Sequence, residues 1–177
     1  MSRTVVLDAS AALAIVRHES GAEDIHRLLK AVAPSGGRIV VPGSFWTEIV
    51  NVLARRYLYA VADIVEAVAV LDGLGLTTVG AGRAGVLSVI EVAVLHGLSA
   101  YDATYLALAE ALDADLLTLD RDLAAAGGDR AVPRDDGRVS EARAQYRLQP
   151  WIPWPGTADY LDAVRRLTVE EAASRRI

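Results

Sequence analysis

Four carboxylic acids separated by long stretches of chain, Asp8, Glu48, Asp102 and Asp120, are the residues in this sequence best suited to chemistry. If folding gathers them within about 5 Å, each ionised pair repels by roughly 3 kcal/mol at an effective dielectric near 20, so the group persists only with protons or cations. Hard oxygen ligands, without cysteine and without a histidine pair, suit Mg²⁺ or Mn²⁺ rather than zinc. Mg²⁺ prefers one or two carboxylates and keeps room for waters and phosphate oxygens. An all-acid pocket therefore suits hydrolysis of a phosphodiester, one ion lowering the pKa of the attacking water and another stabilising the leaving oxygen. Ser10 and Thr118 each lie two residues from an acid. Either could orient a metal-bound water or a phosphate, and either could equally be a helix cap or a strand-end hydroxyl.

Taken singly, every acid also has a plain structural role. Asp8 can end a strand, Glu48 can be a solvated helix carboxylate, Asp102 fits the third helical position of a capping box opened by Ser99, and Asp120 can cap a short helix. The elements that carry them argue for more. Thr4-Val5-Val6-Leu7 is an apolar run without alternation, the pattern of a strand covered on both faces, and it delivers Asp8 where the chain leaves the sheet. Residues 115–120 repeat that pattern and finish on another aspartate. Between them the apolar spacing predicts helices over 11–16, 20–32, 45–56, 60–71, a long stretch ending at His96, and 103–112, with strands at 38–41 and 76–79. Ser44 is placed to cap the third of these helices, whose apolar face has Glu48 at its margin. A short helix at 121–126 and an edge strand at 130–133 follow.

Strands alternating with helices predict an α/β fold, a parallel sheet with right-handed crossovers and helices on both faces. Ligands of such sheets bind outside the carboxyl ends of the strands. Asp8 and Asp120 would share that edge, with Asp102 and Glu48 leaning over it from helix starts.

Composition removes several competing chemistries. A chain of 177 residues, 53% apolar, can bury one sizeable core with an appendage and is not disordered throughout. The absence of cysteine excludes disulfides, thiolate metal sites and cysteine nucleophiles. His18, His26 and His96 fall on helices or helix ends without ligand spacing. The net charge of -5 argues against a general nucleic-acid coat. It is uneven, net -6 over residues 1–127 and net +1 over 128–177. The start lacks the apolar core of a signal peptide, and no charge-free run approaches a membrane span, so a soluble cytoplasmic protein with no membrane partner is expected.

Four segments together resemble a known family. Val5-Val6-Leu7-Asp8-Ala9-Ser10-Ala11, Glu48-Ile49-Val50-Asn51-Val52-Leu53, Leu98-Ser99-Ala100-Tyr101-Asp102-Ala103 and Leu117-Thr118-Leu119-Asp120-Arg121-Asp122-Leu123 resemble, in order and spacing, the motifs of PIN-domain ribonucleases, and among them the VapC-type toxins of bacterial toxin–antitoxin pairs. The resemblance covers about residues 4 to 127. It implies a three-layer α/β/α sandwich with a central parallel sheet, Mg²⁺- or Mn²⁺-dependent cleavage of structured RNA, a homodimer, and a cognate antitoxin that covers the acidic pocket. By position it implies that Asp8, Glu48, Asp102 and Asp120 form the catalytic, metal-binding quartet, with Asp8 and Asp102 most directly tied to metal. Asp122 is an additional acid, read first as a solvated residue of the short helix.

The chain divides, on this reading, into a PIN-like nuclease domain over 1–133 and a C-terminal extension over 134–177, comprising a loop, a Pro/Trp-rich segment and two short helices opened by Thr157 and Thr168. Many toxins of this type stop soon after the last strand. Trp151 and Trp154 either pack the extension onto the core or a second subunit, or stack RNA bases beside Arg165, Arg166, Arg175 and Arg176; alternatively the tail lies over the acidic pocket. Three rival functions are weighed. Gly80-Ala81-Gly82-Arg83-Ala84-Gly85 matches a dinucleotide-binding fingerprint, but its ribose-binding acid should end a strand, and Asp102 reads as helical. A phosphoacceptor or aspartate phosphatase needs a well-placed lysine, and Lys30, on an early helix, is the single one. A PIN fold retained for RNA binding or regulation without catalysis is the third.

Overall fold

The computed structural model describes residues 4–132 of the chain. The chain divides into two units, Met1–Val139 and Ser140–Ile177, and the description concerns the first. The extension expected over 134–177, with Trp151 and Trp154, lies outside the described residues.

The opening apolar run is β1 (Thr4–Leu7), and Val5, Val6 and Leu7 are buried as a strand covered on both faces requires. It leads to α1 (Ala9–Val16), whose Ala9, Ala11, Ala12, Leu13 and Ala14 are all buried. A helix apolar all round is enclosed, and its small residues let neighbours approach closely. Then come α2 (Ala22–Val32), β2 (Arg38–Pro42), α3 (Phe45–Arg55), α4 (Val61–Asp72), β3 (Thr77–Val79), α5 (Arg83–His96), α6 (Ala100–Ala111), β4 (Asp115–Leu117), α7 (Arg121–Gly127) and β5 (Ala131–Val132). Among the described residues no single helix is long and apolar enough to cross a membrane.

The five strands form one sheet in the order β3-β2-β1-β4-β5, and every pair is parallel. The chain steps from β1 outward to β3, then returns to lay β4 on the other side of β1. Right-handed crossovers therefore put α1 to α4 on one face and α5 to α7 on the other. The packing agrees, since α1 touches α2, α3 and α4, whereas α6 touches α5, α7 and the strands β1, β2 and β4. This is the α/β/α sandwich the sequence predicts. The direction of winding reverses between β1 and β4, and such a switch point opens a crevice at the carboxyl ends of the strands. Asp8 and Asp120 follow those two strands.

Two local expectations change. The strand expected to run through Asp120 ends at Leu117, because the Thr118 hydroxyl accepts a hydrogen bond from the Asp120 amide at 2.8 Å and turns the chain. Ser44 sits at the N-cap position of α3 but does not cap it. Its backbone is helical (φ -73, ψ -19), whereas a capping side chain needs the extended region to reach the free amides, and its buried Oγ has no partner among the described residues.

Candidate active site at the sheet switch point

Asp8 links β1 to α1 as the N-cap of that helix, in extended conformation, and is 3% exposed. Its Oδ2 accepts hydrogen bonds from the Ser10 amide at 3.3 Å, from the Ser10 hydroxyl, and from the Thr118 hydroxyl at 2.7 Å. Ser10 Oγ also accepts from the Leu119 amide at 2.9 Å. Ser10 and Thr118 thus tie the β1–α1 junction to the β4–α7 junction. Among the described residues no donor reaches Oδ1 of Asp8, which leaves that oxygen to take a ligand.

Glu48 lies in the first turn of α3, half-buried, and its Oε2 accepts from the Tyr105 phenol at 2.7 Å. Asp102 lies in the first turn of α6, where Ser99 donates to its Oδ2 at 2.7 Å and accepts from its amide at 3.2 Å. Gly97, left-handed at φ 66, ends α5 and allows the tight turn into that helix. Asp120 caps α7, its Oδ1 accepting from the Leu123 amide at 2.9 Å. The cap roles foreseen for Asp102 and Asp120 are therefore real.

Capping does not exhaust them. Burial pushes Asp8 from 3.8 up to about 6, opposed by the Ser10 and Thr118 hydrogen bonds and reinforced by the charges of Asp102 and Asp120. Burial likewise pushes Glu48 from 4.5 up to about 7, opposed by the Tyr105 hydrogen bond and reinforced by Asp8, Asp102 and Asp120. Each of the four acids foreseen in the sequence thus belongs to one electrostatic cluster. Asp122 does not join it: it is exposed on α7, and its charge is not among those acting on Asp8 or Glu48.

Among the described residues no three His, Asp or Glu side chains already form a group able to hold a metal ion. The donor set still fits a hard cation that takes one or two carboxylates and completes its shell with water and phosphate. Carboxyls such as Asp8 and Glu48, which burial and neighbouring charges hold above their ordinary values, are the kind that a divalent charge would ionise.

Tyr105 was not foreseen. It lies three residues after Asp102 on α6, fully buried, and besides donating to Glu48 its oxygen takes a hydrogen bond from the Ala9 backbone. Burial, with Glu48 and Asp8 nearby, raises the phenol above its ordinary value, so it stays a donor. The available signal was a polar-tipped aromatic in an Ala/Leu helix, since a buried tyrosine hydroxyl usually finds a partner. The Gly80–Gly85 segment runs from the end of β3 into the first turn of α5, and Asp102, the acid at the distance dinucleotide binding requires, lies on α6 rather than at a strand end.

A parallel sheet whose carboxyl edge gathers four carboxylates, with the charges of Asp102 and Asp120 acting on both Asp8 and Glu48, defines an α/β protein with an acidic site of the kind nucleases use. The family model of the PIN domain matches residues 5–129. The protein therefore belongs to the PIN domain family, whose members are nucleases. No curated protein matches the sequence. Among solved structures, PAE2754 from Pyrobaculum aerophilum is similar with TM-score 0.54 at 25% identity, over 75% of this chain and 90% of that one. VapC20 from Mycobacterium tuberculosis, described as a sarcin-ricin loop cleaving toxin, gives TM-score 0.57 at 20% identity, over 70% and 95%. A toxin–antitoxin complex from Klebsiella pneumoniae gives 0.53 at 18%, over 72% and 95%. These likenesses are of fold.

Proposed function

We propose that the protein is a divalent-cation-dependent endoribonuclease of the cytoplasm and the toxin of a type II toxin–antitoxin pair. The observation that carries the reading is the convergence of Asp8, Glu48, Asp102 and Asp120 on the switch point, where the charges of Asp102 and Asp120 act on both Asp8 and Glu48. Asp8 and Asp102 are the proposed principal ligands of Mg²⁺ or Mn²⁺, with Glu48 and Asp120 completing the acidic wall. Bound there, the cation would supply an activated water and charge neutralisation at the scissile phosphate. The chain's own part is to hold the acids in place: Ser10 and Thr118 occupy Oδ2 of Asp8, so its other oxygen can face the ligand.

The toxin assignment draws support from the fold shared with VapC20 and with the Klebsiella pneumoniae complex, and it brings a cognate antitoxin as the proposed partner. A homodimer is supported by α5, where Val86, Leu87, Ile90, Val94 and Leu95 are all exposed, Val94 and Leu95 by 80% and 78%. The test is cleavage of structured RNA by the full chain. Activity should require Mg²⁺ or Mn²⁺, vanish with chelator and vanish in Asp8→Asn. Retained cleavage by that variant would refute the mechanism, and RNA binding without cleavage by the wild type would establish the non-catalytic alternative.

A further inference from the structure

We propose that Tyr105 is a positioning residue for Glu48, its phenol fixing one carboxylate oxygen so that the other is presented to the acidic pocket; this rests on the reading of that pocket as a divalent-cation site. Tyr105 is 0% exposed and among the largest fully buried side chains. Its oxygen makes two hydrogen bonds, donating to Glu48 Oε2 at 2.7 Å and accepting from the Ala9 backbone beside Asp8. Its helix carries Asp102 one turn earlier. One hydroxyl therefore joins the starts of α1 and α3 to α6, the elements that hold Asp8, Glu48 and Asp102.

Packing alone does not require this oxygen. A phenylalanine would fill nearly the same volume, but Glu48 would recover rotation about its side-chain bonds and the Ala9 amide would lose its acceptor. Glu48 has the longest side chain of the four acids, so it depends most on an outside anchor to hold a ligating geometry. Groups that orient metal-binding carboxylates by hydrogen bonding typically change metal affinity by about 10- to 100-fold when removed.

The experiment compares the full chain with Tyr105→Phe, each with and without Glu48→Gln. Free Mn²⁺ is read by electron paramagnetic resonance without RNA, and kcat and KM are measured separately with RNA. Tyr105→Phe should weaken Mn²⁺ binding by about 10- to 100-fold and lower kcat with KM little changed. In the Glu48→Gln background it should cost nothing further. An unchanged Mn²⁺ affinity, or an equal loss in both backgrounds, overturns the inference, since a packing role would act without regard to Glu48. Wild-type protein that binds no Mn²⁺ overturns the cation-site reading itself, which separates the two failures. If Tyr105→Phe does not fold, 3-fluorotyrosine at position 105 keeps the hydroxyl, and its ¹⁹F resonance should move with Mg²⁺ in the wild type and stay still in Glu48→Gln. A resonance equally responsive in both overturns the proposal.

Discussion

Replacing Asp8 by asparagine should make the cation-free protein more stable at pH 8, although it removes an acid central to the proposed chemistry. Burial raises the folded-state value from 3.8 to about 6, so the folded protein holds this proton more tightly than the unfolded chain does. The stability it contributes is fully present below 3.8 and is lost as pH rises through about 6. At about 1.4 kcal/mol per pH unit, the ionised side chain costs the fold about 3 kcal/mol at pH 8. Asparagine avoids that cost. Its carbonyl can occupy the position of Oδ2, keeping the Ser10 and Thr118 donors, and its amide takes the place of Oδ1. Urea unfolding with chelator should therefore show Asp8→Asn ahead by up to about 3 kcal/mol at pH 8 and by less than about 1 kcal/mol at pH 4. A variant less stable than wild type at pH 8, or a gap that does not close on acidification, would refute the account of the buried charge.

Three further outcomes test the same arrangement. Thr118→Val removes one donor from Asp8 Oδ2 and the acceptor of the Asp120 amide, and should cost about 1–3 kcal/mol at pH 8, with an unchanged urea midpoint as the contrary result. Asp102→Asn or Asp120→Asn should bring the titration of Glu48 down toward 4.5, followed by ¹³C NMR of its carboxyl, while Asp122→Asn leaves it in place; equal effects from all three would deny the cluster. Saturating Mn²⁺ or Mg²⁺ at pH 6.5 should displace about one proton in total, because Asp8 and Glu48 are partly protonated there, and calorimetry in buffers of different ionisation enthalpy that detects no release would count against these acids as ligands.

Much of the fold was legible because its signals are local. Val5-Val6-Leu7 announces a strand buried on both faces, and helices between successive strands leave parallel pairing as the simple solution. The acids were legible for a related reason, since Asp8 and Asp120 each close an apolar segment. What escaped notice depends on contacts between distant residues or on backbone angles. The early end of β4 follows from a turn made by Thr118, whose other partner, Asp8, lies 110 residues away. The helical backbone at Ser44, which defeats its cap, cannot be read from residue type. Tyr105 looks like one more apolar position in α6 until Glu48, 57 residues earlier, is brought to its hydroxyl.

The same geometry explains why capping and candidate catalysis fall on the same residues. Each acid stands at the start of a helix: Asp8 and Asp120 as N-caps of α1 and α7, Glu48 and Asp102 in the first turns of α3 and α6. Three of these helices begin at the carboxyl edge of the sheet because a parallel crossover must leave there, and α6 reaches the edge from the turn at Gly97. A helix start stabilises a nearby negative charge by about 0.3–1 kcal/mol when exposed and up to about 2 kcal/mol when partly buried. At Asp8 and Glu48 burial imposes a larger, opposing cost on the ionised form, and the charges of Asp102 and Asp120 add to it. That cost raises the two carboxyls to about 6 and 7. On the proposed reading a divalent cation offsets the cost of ionising Asp8 and Glu48, so the instability of the cation-free site and its capacity to bind metal have one physical origin.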